Sequence, residues 1–321
     1  MADLHDLYTK FDEKITLTAA KKESLRTGRN ALREKIKDAF AAQDRRQPKF
    51  RMQGSFAMHT TVNPIGDNEY DLDDGVYLQG YEELDREDWP SPKDTHQWLV
   101  DAVDGHTKSD PEDKTSCVRV RYEADYHIDF PVYIIQDGTC FLASTKEGWT
   151  ESDPKAFTDW FVTDHVVNDP RRYGEQLRRT VRYLKAWRDY CGVDLESIVL
   201  TILATEHFSV YAGRDDLAVR NTLENIYNAL CADFSCKKPV TPGDELLSDR
   251  SEDEQQAILD ALKSYLDAAK SAQEETDEKK ASELLRTVYG TRFPLGETAP
   301  CSSDYAATAK PGVIGNDSRS A

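Results

Sequence analysis

The sequence predicts an α+β fold in which a lobe built on a mixed sheet precedes a helical lobe. Two changes of hydrophobic period lead to that class: helical spacing gives way to short strand candidates near Phe50, and it returns after Pro154. A third observation is chemical. Carboxylates stand inside two strand candidates, at Asp71, Asp73 and Asp129, and Asp is disfavoured in strands.

Leu4 to Ala42 reads as one or two helices, with Leu25, Leu32, Ile36 and Phe40 as an apolar stripe and Thr16-Leu17-Thr18 as a break. Strand candidates follow at Phe50-Met52, Tyr70-Leu78, Cys117-Tyr122 and Tyr126-Ile135, separated by Pro, Gly and Asp-rich turns. A helix carrying Trp98, Leu99 and Val103 lies between the second and third of them. Helical spacing then runs through Ala156-Val167, Tyr173-Tyr190, Leu195-Tyr211, Leu217-Cys231 and Ser251-Gln273, with Glu274-Tyr289 as a further segment. The expected division is residues 1–150 for the N-terminal helix and sheet lobe, 151–295 for the helical lobe and 296–321 for a flexible C-terminal tail.

A chain of 321 residues is long enough to hold two lobes, and its 39% hydrophobic content is that of a folded protein rather than a disordered one. No apolar run approaches the roughly 20 residues that span a bilayer, and Met1-Ala2-Asp3-Leu4-His5 lacks a signal pattern, so the expected location is cytoplasmic, with no membrane partner. The six cysteines are scattered without a disulfide spacing, which fits free thiols. A net charge of −18 sets a repulsive field against phosphates and disfavours a long nucleic acid partner. A polyanionic ligand would need a local basic patch or metal ions.

In Glu69-Tyr70-Asp71-Leu72-Asp73-Asp74-Gly75, strand alternation sends Asp71 and Asp73 to one face, about 7 Å apart along the backbone. Such a pair needs a cation; the competing reading is a solvated acidic turn ending at Asp74-Gly75. Asp129, in His127-Ile128-Asp129-Phe130-Pro131, can complete a three-carboxylate site if its strand lies beside Tyr70-Leu78, and alone it reads as a strand-end carboxylate. Three hard oxygen anions suit Mg²⁺ or Mn²⁺, and two such ions about 3.5–4 Å apart serve phosphoryl-type transfer. Asp74 faces the other way and takes a structural role. Gly54-Ser55, between a strand candidate and a helix start, offers backbone N–H groups and a hydroxyl to a phosphate. The segment Arg171 to Arg188 holds seven basic residues against one acidic. Most of these fit surface pairs of small value, while one Lys directed into a cleft would hold a triphosphate as a point charge.

Gly54-Ser55, the Glu69 to Tyr77 run, His127 to Tyr133 and Arg182-Tyr183-Leu184-Lys185-Ala186-Trp187-Arg188 together resemble the bacterial cGAS/DncV-like nucleotidyltransferases, or CD-NTases, of the polymerase-β-like superfamily. The resemblance covers about residues 50 to 210, and Tyr289-Gly290-Thr291-Arg292-Phe293-Pro294 is also family-like. It implies a polymerase-β-like nucleotidyltransferase lobe, a helical lobe and an active site in the cleft between them. Asp71 and Asp73 would bind both Mg²⁺ (or Mn²⁺) ions, and Asp129 would bind the catalytic ion and help deprotonate the acceptor hydroxyl. Gly54, Ser55, Lys185 and Ser197 would hold the donor triphosphate, ATP above all.

The implied product is a cyclic di- or trinucleotide second messenger made in anti-phage (CBASS) signalling. The alternatives are a linear oligoadenylate or RNA-end nucleotidyltransferase and an inactive nucleotide-sensing scaffold. The family also suggests a HORMA-domain activator, or ubiquitin-like conjugation machinery acting on the tail from Thr298 to Ala321, against which stands an unselected flexible end. Where several relatives place a base-stacking aromatic after the phosphate-binding Ser, this chain has Ile198. Tyr70 and Tyr211 are the remaining candidates for stacking, and packing is the simpler role for both.

Overall fold

The computed structural model describes residues 2–66, 69–123 and 125–297, and the tail from Thr298 to Ala321 lies outside the described residues. Helix α1 (His5–Ile15) and helix α2 (Ala19–Ala42) divide at the expected break, where the Thr18 hydroxyl caps α2 by accepting a hydrogen bond from the Lys21 N–H at 3.3 Å. Strand β1 (Lys49–Gln53) leads directly into the short helix α3 (Gly54–Met58). Strand β2 (Tyr70–Tyr77) is followed by helix α4 (Pro92–Val103), which starts on a Ser91 cap with Pro92 in its first turn.

The sheet continues with β3 (Glu112–Asp113), β4 (Val118–Tyr122), β5 (Tyr126–Phe130), β6 (Val132–Gln136), β7 (Thr139–Ser144) and β8 (Gly148–Glu151). β2 is its central strand. It pairs antiparallel with β1 on one side and parallel with β5 and β6 on the other, in one continuous register from Tyr70↔Tyr126 to Tyr77↔Tyr133. The single strand expected over Tyr126-Ile135 is therefore split at Pro131, whose ring nitrogen has no proton for the ladder. β4 continues the sheet from β5, while β7 and then β8 continue it from β6. β3, β7 and β8 had no counterpart among the expected strands: β3 is two residues long, and the β7–β8 hairpin joins mixed-polarity segments.

The helical half comprises α5 (Pro154–Asp159), continued by a π-helical stretch Trp160–Val167, then α6 (Gly174–Cys191), α7 (Ser197–Glu206), α8 (Asp215–Ala232), α9 (Glu252–Glu274) and α10 (Glu278–Tyr289). Helix α9 begins with a capping box between Ser251 and Glu254. One apolar core lies between the sheet and α2 and α4, joining Leu25, Leu32 and Ile36 to Leu72, Val76, Ile128 and Phe130. A second core fills the helical half and takes in α1 through Leu7, Tyr8, Phe11 and Ile15. β8 ends at Glu151 and α5 begins at Pro154, while α1 packs in space with the helical half.

Asp74 sits on the α2 side of β2 with its side chain fully buried, and Arg33 of α2 donates a two-pronged hydrogen bond to it at 2.5 and 2.6 Å. Burial raises the Asp74 carboxyl above its ordinary range and the Arg33 guanidinium works against that rise. Arg33→Ala leaves a buried anion without its cation, so urea denaturation should show a loss of about 3–5 kcal/mol. Asp74→Asn in the same background should recover part of that loss.

Candidate active site

Strand alternation decides what each side of β2 presents. Leu72 and Asp74 turn toward α2, whereas Asp71 and Asp73 line a cavity of about 640 Å³ between the sheet and helices α6 and α7. The parallel register sets Asp73 beside Asp129 and Asp71 beside His127. The three carboxylates proposed as metal ligands are thus neighbours on one face of the sheet. Asp73 is held well above the usual carboxylate range, first by burial and then by the charges of Asp71 and Asp129.

Asp129 is differently placed from the other two. Arg119, its cross-strand neighbour on β4, donates Nε and Nη2 to the two Asp129 oxygens at 2.8 Å each. Among the described residues no group of three or more Asp, Glu, His or Cys side chains is assembled as a metal site. Asp71 and Asp73 make no ion pair among those residues, and their oxygens suit a hard divalent cation. Asp129, fork-bound to Arg119, presents its carboxylate to a guanidinium instead.

Gly54 begins α3 with φ +65, and a Cβ there would collide with the Asp73 carboxylate, so this backbone passes against the acid as only Gly allows. The Ser55 hydroxyl lies 2.8 Å from that of Thr61. A five-residue helix has little macrodipole, so the phosphate donors on offer are the individual N–H groups and hydroxyls.

Across the cavity Lys185 is buried, with Nζ donating to the Thr60 hydroxyl at 3.2 Å and carbonyl at 3.4 Å. Burial lowers its ammonium to about 8, with the Arg188 charge adding to the effect. Ser197 is the first residue of α7 and its hydroxyl accepts from Arg188 Nη1 at 2.9 Å. Gly54, Ser55, Asp71, Asp73, Lys185 and Ser197 all line this one cavity.

Two further arginines of α6 depart from the expectation of weak surface pairs, while Arg178 keeps such a pair with the exposed Glu175. Arg182 donates to both oxygens of Asp12 at 2.7 and 2.8 Å and to the His59 carbonyl at 2.8 Å, and Arg179 donates to Asp215, whose carboxylate is 1% exposed. They are buried cross-links that place α6 against α1, α8 and the end of α3. Tyr211 is 39% exposed and does not line the cavity, while Tyr70 lines it but packs on Tyr126 at 5.5 Å between ring centres. Ile198 does line it.

Four cavity residues had no role in the sequence reading. Arg119 and Lys238 stood outside every motif, and Arg188 was read only as part of the basic run Arg171 to Arg188. His127 did carry one: it stands two residues before Asp129 on the same strand and so shares its face. Its Nδ1 is 2.8 Å from Glu69 Oε2, and Glu69 also accepts from Arg121, which bonds Glu112 as well. Burial pushes the Glu69 carboxyl up, and the bonds from His127 and Arg121 outweigh it, holding the group below its ordinary value.

Residues 48–133 match the family model for the nucleotidyltransferase domain of cyclic GMP-AMP synthase DncV-like proteins. The cyclic GMP-AMP synthase of Escherichia albertii is 30% identical over 203 residues, which is 60% of this chain but 43% of that relative's length. That of Vibrio cholerae is 26% identical over 315 residues, covering 78% of this chain and 69% of the relative, and an Acinetobacter cyclic AMP-AMP-AMP synthase is 27% identical over 180 residues. The crystal structure of the Vibrio cholerae enzyme superposes with a TM-score of 0.75 at 19% identity, covering 91% of this chain and 97% of that one. A structure of the same enzyme with the linear intermediate pppA(3′,5′)pG gives 0.75 at 21% identity. The polymerase-β-like α+β fold is thereby shared, and no helix among the described residues is long and apolar enough to cross a membrane.

Two outcomes follow from the charges. Because the folded-state value of Asp73 is raised, its ionisation opposes folding at neutral pH, and stability grows as pH falls through that value. Asp73→Asn should raise the cation-free thermal midpoint by about 2–4 °C for each kcal/mol relieved and flatten this dependence, as scanning calorimetry would show. For Lys185, a role in holding triphosphate requires the ammonium, which is lost above about 8. ATP affinity, measured by equilibrium binding, should hold steady below about pH 7 and fall by up to about tenfold per unit above about pH 8, and Lys185→Arg should remove that fall.

Proposed function

The chain belongs to the bacterial cGAS/DncV-like nucleotidyltransferases, and from that premise we propose that it joins nucleoside triphosphates, ATP above all, into a cyclic di- or trinucleotide. The observation that carries this reading is the Asp71/Asp73 face, two cavity-lining carboxylates that form no ion pair among the described residues, opposite a buried lysine and beside a glycine that lets backbone approach them. Asp71 and Asp73 would hold Mg²⁺ or Mn²⁺, two ions in the proposal, and Asp129 would be the third ligand with an oxygen freed from Arg119. Such ions would supply neutralisation of the carboxylates and of the charge that develops on the transferring phosphate.

The chain's own groups do the rest. Gly54 and Ser55 orient the donor triphosphate with their N–H groups and hydroxyl, and Lys185 and Ser197 hold it from the helical side. Asp129 accepts the proton of the attacking ribose hydroxyl. The ribose oxygen bonds to the α-phosphorus as the bond to the β-phosphate oxygen breaks, and pyrophosphate leaves with the electron pair. A second or third transfer closes the ring.

The chain spans less than half of the Escherichia albertii relative in their match, so activity, substrates and partners are proposals for this protein. They extend to a place in anti-phage signalling in the cytoplasm, and to a HORMA-domain activator or ubiquitin-like conjugation machinery acting on the tail. The division into 1–150, 151–295 and 296–321 belongs with them.

Purified protein incubated with Mg²⁺ or Mn²⁺ and labelled ATP, alone and with other triphosphates, should release pyrophosphate and yield a phosphatase-resistant product whose ring size mass spectrometry reads. A phosphatase-sensitive product would mean linear extension, and no pyrophosphate would mean a binding scaffold. Asp73→Asn should lower the rate by at least about 100-fold, since even outer partners of a metal site are worth about 10–100-fold.

A further inference from the structure

We propose that His127, locked by Glu69, positions the acceptor nucleotide by binding the ribose hydroxyl that does not attack; this rests on the nucleotidyltransferase reading above. Transfer needs two nucleotides in one cavity. The donor end is marked by Gly54, whose backbone meets Asp73. Glu69 lies four residues before Asp73, about 13 Å back along an extended chain, and His127 stands at the level of Asp71 between the two ends. The acceptor has to present a hydroxyl to Asp129 with its body away from Gly54, and that is the side on which Glu69 and His127 line the wall.

The imidazole is built to hold one orientation. His127 is 8% exposed, its Nδ1–H is committed to Glu69 at 2.8 Å, and Glu69 accepts in turn from Arg121, which also donates to Glu112. That leaves Nε2 as the atom with no hydrogen bond among the described residues, 3.9 Å from Asp129 Oδ2. Two polar atoms side by side at that spacing, a ring nitrogen and a carboxylate oxygen, suit the two adjacent hydroxyls of a ribose. One O–H gives its proton to Asp129 as its oxygen bonds to the α-phosphorus and pyrophosphate departs. The other hydroxyl hydrogen-bonds with Nε2 and stays intact. His127 is accordingly a specificity-determining residue, setting preference for ribose over deoxyribose in the acceptor and which hydroxyl forms the linkage.

The test pairs variants with substrates. His127→Asn keeps a donor toward Glu69 and removes the Nε2 contact, while His127→Gln restores a polar atom near Nε2. With ATP as donor, wild type should use the deoxy acceptor lacking the non-attacking hydroxyl about tenfold less well than ATP. His127→Asn should lose that discrimination and mix 2′-5′ with 3′-5′ linkages, with unchanged thermal midpoint and donor affinity, and His127→Gln should recover part of both. Should His127→Asn not fold, equal use of ribo and deoxy acceptors by wild type overturns the inference by itself. Transfer by His127→Asn with discrimination and linkage as in wild type overturns it too, whereas no transfer by wild type overturns the functional reading beneath it.

Discussion

Strand β2 places three carboxylates within four residues, and the way each charge is met organises the molecule around it. Asp74, on the α2 side, is buried and clamped by Arg33, so the repulsion on that side is converted into a cross-link between the long helix and the central strand. Asp71 and Asp73, on the other side, form no ion pair among the described residues. Their field raises Asp73 and leaves the cavity wall negative. A protein that kept both sides compensated by arginine would be more stable but would have nothing with which to draw in a cation.

The cavity opposite that wall depends on helix α6. Its arginines reach in three directions, to Asp12 of α1, to Asp215 of α8 and to the carbonyls of Met58 and His59 that end α3. Those bonds set the end of the Gly54-Ser55 turn at a fixed height over the sheet. On the same helix, one turn on, Lys185 and Arg188 face the cavity and support Thr60 and Ser197. One amphipathic segment thus fixes the distance between the two walls and supplies the positive charge of one of them.

Much of this was readable in the residues. Asp71 and Asp73 share a face because alternation in a strand is strict, Asp129 joins them through the parallel register that sets it beside Asp73, and Thr16-Leu17-Thr18 was legible as a break. Gly54 stood out as a glycine between a strand and a helix, and its φ +65 beside Asp73 gives the physical reason. What stayed hidden was pairing at long range. Arg119 faces Asp129 only because β4 runs antiparallel to β5, and Asp12 meets Arg182 across 170 residues. A charge run such as Arg171 to Arg188 states how much cation is present but not that its partners are buried. The split of the strand at Pro131 was signalled by the proline itself.

The Asp71/Asp73 face is proposed as a cation site built from a carboxylate pair that forms no ion pair among the described residues. Electron paramagnetic resonance of Mn²⁺ titrated into the nucleotide-free chain near neutral pH tests it most directly. Mn²⁺ should leave the free pool as it binds, and replacing both Asp71 and Asp73 by Asn should abolish that loss. Mn²⁺ that stays free, or that binds the doubly substituted chain as well as the wild type, would contradict it.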